Sequence, residues 1–483
     1  MKPWRTLWLA LALGTASACS PPVTPNPADA ASDITQGSDV AATMDAPLPA
    51  DDVIATDASS SEIATPAALT YWGAIRPLVE QNCQGCHSTG GIGPMDLGTY
   101  AAVQPLARVI ASQVRNRIMP PWMPAAGCRD LKDSRALTDA EIATFVQWEA
   151  AGAPEGTMSE YRAATPRTGT TRPLPATPGQ LIVEPTEAYL PMQNRTDDYH
   201  CFIVDPALTT SRDVVGVRVR PGNPGIVHHM LLFEVRQSAL PALQRLDDAT
   251  PGPGYTCYGG VGIDPGYRVG TNGDIADVDV QQIHGWAPGG VDGYYPNGTG
   301  IRIKPGSRLV MQVHYYIPPS KRGMTDRTRI ELFLGEPGTT QQALWIPQLN
   351  NDFMVPANAG PTDPRSTAVA TFRNTLPLRI FGVFPHMHQR GHSIHVETTP
   401  NTAAGATQCM VNIPSWDFHW QQNYFFALPY RPAVGDTLRT TCVWDNTQAN
   451  QPYVDGVQQP SRELRWGEGS DDEMCLNYFY VSL

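Results

Sequence analysis

Five of the chain's eleven histidines fall into three short groups. They are His228 and His229 within Val227-His228-His229-Met230, His314 within Gln312-Val313-His314-Tyr315, and His386 and His388 within Pro385-His386-Met387-His388. Neutral imidazole is the commonest side-chain ligand for copper, zinc and iron. Far upstream stands Cys83-Gln84-Gly85-Cys86-His87. At this C-x-x-C-H spacing two thiols can form thioethers to haem vinyl groups, and the histidine that follows becomes an axial ligand. A disulfide or a zinc knuckle would use the same thiols. A closed zinc site needs further ligands nearby, however, and the next cysteine is Cys128. These residues point to metal and redox chemistry outside the cytoplasm.

Strands must carry the histidines, because each group lies in or beside a run rich in Val, Leu, Ile, Phe and Tyr. His386 and His388 are two apart, so on a strand they project from one face and suit a metal pair. His228 and His229 are adjacent and would point to opposite faces of a regular strand. They can share a metal only near a strand end or a bulge. His314, taken alone, is a hydrogen-bonded core residue more often than a ligand.

Composition limits the rest. A chain of 483 residues is too long for one core. With 42 Gly, 46 Pro and 17% charged residues, it suits many turns and short strands. The net charge of −12 argues against nucleic acid as partner. No G-x-S-x-G or H-E-x-x-H is present, which argues against the hydrolases built on them. The expected fold class is mainly β: two consecutive β-sandwich domains, jelly-roll-like, preceded by a small all-α domain.

Residues 1–19 read as an export signal, with Lys2 and Arg5 ahead of an apolar run from Leu7 to Leu13 that is too short to span a bilayer. Ala16-Ser17-Ala18-Cys19 resembles a bacterial lipoprotein cleavage site, which would lipidate Cys19 as a membrane tether; ordinary cleavage near Ala18 is the alternative. Residues 20–65 are acidic, rich in Pro and Ala, and read as a disordered linker. Residues 66–160 form the expected helical domain. Its last helix begins with Thr138 as cap and Glu141 three residues on. A linker covers 161–177, and the two sandwiches are expected at 178–325 and 326–483.

The helical domain, over about residues 66–155, resembles class I bacterial cytochromes c. In Arg117-Ile118-Met119-Pro120-Pro121-Trp122-Met123-Pro124 the distal methionine of that family would sit just before Pro-Pro. The resemblance implies one covalently bound haem c held by Cys83, Cys86, His87 and Met119, with Met123 as the other candidate.

From about residue 180 onward the chain resembles the copper type II, ascorbate-dependent monooxygenases, the peptidylglycine-hydroxylating and dopamine-hydroxylating enzymes. The match lies in Val227-His228-His229-Met230-Leu231-Leu232-Phe233, Gln312-Val313-His314-Tyr315, His386-Met387-His388 and Asp472-Glu473-Met474-Cys475, in the family's order. The resemblance implies two copper ions, one per sandwich, facing each other across a solvent-filled cleft. It assigns His228, His229 and His314 to the copper that handles electrons. It assigns His386, His388 and Met474 to the copper where O2 and substrate meet. It pairs Cys201 with Cys257 and Cys442 with Cys475. Cys128 and Cys409 either bridge the helical domain to the second sandwich or stay free. His200, His284, His392, His395 and His419 match no ligand position.

The substrate position departs from the peptide-hydroxylating enzymes. Tyr199 matches a family tyrosine, but Phe384 stands where those enzymes use an arginine to hold a carboxylate. An apolar ring cannot pair a carboxylate, so a less charged, hydrophobic or aromatic small organic substrate is expected. The implied function is hydroxylation of a C–H bond with O2. Electrons would come from an ascorbate-like reductant or a redox protein, relayed through the fused haem to the copper of His228, His229 and His314. The alternative is an exported copper and haem protein, for electron transfer or copper binding, without monooxygenase activity. Either would work in the bacterial periplasm or cell envelope.

Overall fold

A computed structural model describes residues 69–483 apart from 90–92, 94, 165–173, 259, 265–267, 270–274, 288–289, 291, 297, 337, 339, 403–404, 419, 455, 468 and 470. The export signal, Cys19, most of the acidic linker, the middle of the second linker and His419 lie outside the described residues.

The protein is mainly β. In the first sandwich one sheet runs, in spatial order, Tyr255–Thr256, Asp197–Val204, Arg308–Tyr316, Val227–Val235 and Val280–Trp286. The facing sheet runs Leu181–Val183, Arg329–Gly335, Arg212–Arg220, Thr299–Ile303 and Gln341–Gln342. Alternating apolar residues such as Val217, Val219, Leu309, Met311 and Val313 fill the space between them, nearly all of their surface buried. The second sandwich pairs a sheet of Leu344–Asn350, Cys475–Ser482, Arg379–His386 and Tyr424–Tyr430 with one of Thr367–Arg373, Thr437–Trp444, Gly391–Thr399 and Gln408–Ile413.

The border between the sandwiches lies later than residue 325. Strand Arg329–Gly335 pairs with Arg212–Arg220, and Gln341–Gln342 adds to Thr299–Ile303. Ile330 and Leu332 are fully buried in the first core. The segment near residue 325 therefore connects the two facing sheets within the first sandwich, and the crossing to the second sandwich comes at Ala343. Around that crossing Ala343, Trp345, Phe381, Phe384 and Tyr480 join the core of the first sandwich, so the two share one apolar interface. Each such side chain buried contributes about 1.5–3 kcal/mol.

Residues 71–160 are helical and carry a small core of their own. Tyr71, Ile75, Val79, Val103, Val114, Leu137, Phe145 and Trp148 meet there, from the turn Tyr71–Ile75 and helices Arg76–Asn82, Tyr100–Val103, Ala107–Arg115 and Asp139–Ala150. The last helix is capped as its sequence predicts: Thr138 accepts from the Glu141 amide, and Glu141 accepts from the Thr138 amide. Between the third and fourth of these helices the chain leaves its own core and lies on the second sandwich. Ala125 donates to the Asn412 carbonyl, Lys132 to Phe425, and Ala427 to Asp130. Trp122 sets its edge against Tyr424. The Cys128–Cys409 disulfide closes this join.

Candidate metal centres

Strands Val227–Val235 and Arg308–Tyr316 run antiparallel, with His229 opposite His314. One residue further the partner of Tyr315 is Val227, so the register slips and His228 is the extra residue. This bulge lets two adjacent histidines turn to one side, which a regular strand forbids. The ring nitrogens of His228, His229 and His314 that could bind a metal lie within 4.8 Å of one another. His314 is 1% exposed. Its Nε2 faces the Asp197 carboxylate at 2.8 Å, and its Nδ1 is buried without a hydrogen-bond partner. A carboxylate on one ring nitrogen fixes the tautomer and leaves the other as a donor for a metal. Tyr199 lies directly opposite on the next strand, its ring stacked on His314 with centroids 4.0 Å apart and planes 6° from parallel. Burial and the neighbouring imidazoles hold His229 well below the ordinary histidine range. His229 is therefore neutral, as a ligand must be.

The second set stands at the end of strand Arg379–His386. His386 turns Nδ1 to Gln421 Oε1 at 2.5 Å, and His388 turns Nδ1 to the Asp472 carbonyl at 3.1 Å. Acceptors at both Nδ1 atoms make these the protonated nitrogens and leave both Nε2 atoms as donors. Burial lowers His386 to about 4 and takes His388 well below its usual value. Strand Cys475–Ser482 pairs His386 with Leu476. Continuing that register sets Met474 opposite His388, and Met474 is 6% exposed. Cys475 is bonded to Cys442, which ties down the backbone beside Met474. Two imidazoles and a thioether form a donor set that suits copper.

Several residues that shape this set were given no role by the sequence. Glu473 is fully buried, and its carboxylate accepts from the His388 amide at 2.9 Å, the Arg390 amide at 2.7 Å and Trp444 Nε1 at 2.8 Å. Burial pushes Glu473 up to about 7, against the pull of those donors. The loop between strands Gln408–Ile413 and Tyr424–Tyr430 supplies three more. Trp416 Nε1 donates to the His388 carbonyl, Gln421 holds His386, and Phe418 lies between the two histidine sets. Polar or aromatic residues on an irregular loop carry no periodicity, so only their placement reveals them.

The two sets adjoin rather than face each other across solvent. The rings of His229 and His386 are 6.2 Å apart. Phe418 stacks on His228 and meets His388 edge-on at 5.8 Å. The expected solvent-filled cleft is corrected here, because the apolar interface between the sandwiches continues up to the ligands. Phe384 belongs to that interface. It is 5% exposed, its ring lies 6.1 Å from that of Tyr478, and it abuts Gly285.

The remaining histidines serve elsewhere. His200 bonds to the Pro253 carbonyl and His284 to Tyr295 Oη, both away from the ligand sets. His392 is exposed, and His395 lies beside Cys409.

In the helical part, Cys83 and Cys86 are the free thiols among the described cysteines, while the other six form three disulfides. His87 turns Nδ1 to the Met95 carbonyl at 3.2 Å, which leaves Nε2 as a donor. The Met123 sulfur accepts from the Asp417 amide and packs on the second sandwich. Of the two candidate methionines, Met119 is thus the one not held by the neighbouring domain. The Cys201–Cys257 and Cys442–Cys475 pairs are as the resemblance implies, and three disulfides suit an extracytoplasmic compartment. Among the described residues, no helix is long and apolar enough to cross a membrane.

Residues 350–481 match the family model of the copper type II ascorbate-dependent monooxygenase C-terminal domain. Tyramine beta-hydroxylase of Caenorhabditis briggsae is 25% identical over 320 residues, which cover 62% of this chain and 48% of that protein. DBH-like monooxygenase protein 1 of Gallus gallus is 23% identical, covering 54% of this chain and 40% of its own. Dopamine beta-hydroxylase of Canis lupus familiaris is 26% identical over 216 residues, 40% of this chain and 31% of that protein. The chain thus spans less than half the length of these relatives. The matched domain and the three relatives support placing the chain among the copper type II monooxygenases.

Proposed function

We propose that this protein is a copper-dependent monooxygenase that hydroxylates a C–H bond of a small organic substrate with O2. One observation carries the reading: two imidazole sets adjoin across the interface of the sandwiches, with His314, His386 and His388 each turned by a hydrogen bond at one ring nitrogen. Bound copper supplies one-electron chemistry and O2 activation. The chain's residues do the rest. His228, His229 and His314 would hold one ion, with His314 aimed by Asp197 and Tyr199. His386, His388 and Met474 hold the other, where a thioether favours the cuprous state. Gln421, Glu473 and Trp416 fix the second set before any metal arrives. Such preorganisation matters, because outer partners of ligands change metal affinity about 10–100-fold.

Two relatives are named for tyramine and dopamine. Without a carboxylate-binding arginine at position 384, we infer a small substrate that lacks a carboxylate anchor rather than a glycine-extended peptide. We also read Cys83, Cys86, His87 and Met119 as a haem c site that passes electrons to the copper of His228, His229 and His314. The free thiols and the Met95 contact of His87 support the attachment, and the relay rests on the fusion of the two parts in one chain. The exported protein would work in the bacterial cell envelope, tethered through Cys19.

Metal analysis beside a haem stain should find two coppers and one haem per chain. Substrate-dependent O2 uptake should then be lost in His386→Ala with the haem retained. Background uptake by protein holding both coppers, across small aromatic and aliphatic candidates, would overturn the enzyme reading. Mixing reduced protein with O2 and substrate tests the relay, which fails if the haem stays reduced while copper turns over.

A further inference from the structure

A third cluster of metal-binding side chains lies away from both histidine sets. The Sγ atoms of Cys128 and Cys409 and a ring nitrogen of His395 lie within 4.8 Å of one another, all three half-buried. Cys128 arrives on the segment that crosses from the helical domain, held beside strand Gln408–Ile413 by the Ala125 amide on the Asn412 carbonyl. On the paired strand Gly391–Thr399 the register slips between Val396 and Glu397, which brings His395 diagonally over Cys409. His395 Nε2 is 3.2 Å from Cys409 Sγ. Its Nδ1 faces the Glu397 carboxylate at 3.9 Å.

A disulfide alone would explain the two cysteines as a staple. It would not explain an imidazole nitrogen aimed at one sulfur, which is where a third ligand must stand once both sulfurs are thiolates. The other two disulfides are fully buried in their cores. Among the described residues, only this disulfide is grouped with a histidine.

We propose that Cys128, Cys409 and His395 form a redox-gated site for a thiophilic d10 cation, closed as a disulfide and opened by reduction. An external dithiol supplies two electrons and two protons. The S–S bond breaks, two thiols form, and the dithiol leaves as its own disulfide. Metal binding then displaces both thiol protons, so the ion meets two thiolates and one neutral imidazole. Two sulfurs and one nitrogen suit Zn2+ or Cu+, with a fourth position open to water. The bound ion would replace the staple between the helical domain and the second sandwich when the disulfide is lost. The inference is independent of the monooxygenase reading.

Zn2+ is the probe. The full-length protein is treated with a mild phosphine, and alkylation with mass spectrometry confirms that the half-buried Cys128–Cys409 bond has opened. Equilibrium dialysis then compares reduced and oxidised protein. The copper-type ligands are common to both samples, so their zinc cancels. Reduced protein should bind one Zn2+ more than oxidised protein. The double variant Cys128→Ser, Cys409→Ser, treated identically, should lack that extra ion. His395→Ala retains the disulfide and so folds as the parent does, and it should bind the extra ion about 10–100-fold more weakly after reduction. Equal zinc in reduced and oxidised protein would overturn the proposal, as would an unchanged affinity in His395→Ala.

Discussion

The ring of Phe418, on the second sandwich, stacks on the imidazole of His228, on the first, with centroids 4.4 Å apart and planes 28° from parallel. The contact links the two ligand sets, because the same ring meets His388 edge-on. Removing a buried phenyl ring costs about 3–5 kcal/mol in a closed core. Phe418→Ala should reach the lower end of that range in denaturant unfolding, since the site borders the join. It should also weaken copper binding at both sets, measured by chelator competition, while Phe418→Tyr keeps the stack. Unchanged stability and affinity in the alanine variant would refute this role.

Gln421 supplies the acceptor that sets the His386 tautomer. Gln421→Leu keeps the volume roughly constant and removes that acceptor. Copper affinity at the second set should fall about 10–100-fold, with the first set unaffected. Single-ion binding isotherms in a His314→Ala background would isolate the second set, and those in a His388→Ala background the first. An equal loss at both sets would mean that the leucine disturbs the interface and not the tautomer.

Glu473 gathers three N–H donors in a fully buried place. Glu473→Ala leaves those donors without a partner, and each unmet buried group costs about 1–3 kcal/mol. The variant should unfold at markedly lower denaturant than the parent. Glu473→Gln keeps one acceptor oxygen and should fall between the two. A Glu473→Ala midpoint equal to that of the parent would show that water takes over all three bonds.

Phe384 tests where the substrate position lies. If it lined an open cleft, Phe384→Arg would be tolerated and could restore carboxylate binding. Buried at the join, an unpaired guanidinium is costly by several kcal/mol. The expected outcome is poor expression or a much lower melting temperature. Gly285→Ala places a Cβ 2.8 Å from the Phe384 ring and should cost about 1–3 kcal/mol by overpacking. A stable Phe384→Arg protein would argue for the cleft.

Much of the site was legible in residue order. Strand-borne histidine groups, the capped helix at Thr138 and the C-x-x-C-H motif are local patterns, written in spacing and side-chain type. Their periodicity says which elements form and which residues could be donors. Other features depend on neighbours far apart in the chain. The slip that turns His228 beside His229 arises from pairing with strand Arg308–Tyr316, and register is a property of two strands. Strand Arg329–Gly335 joined the first sandwich because its apolar face completes that core, although a turn before it looked like a border. Gln421, Glu473 and Phe418 became visible only when the loop and strand ends closed around His386 and His388. The sequence by itself determined which side chains are able to donate to a metal, since ligand chemistry belongs to residue type. Tertiary structure alone decided how near the two sets stand, because apolar burial across the join, and not any local motif, brings His229 to His386.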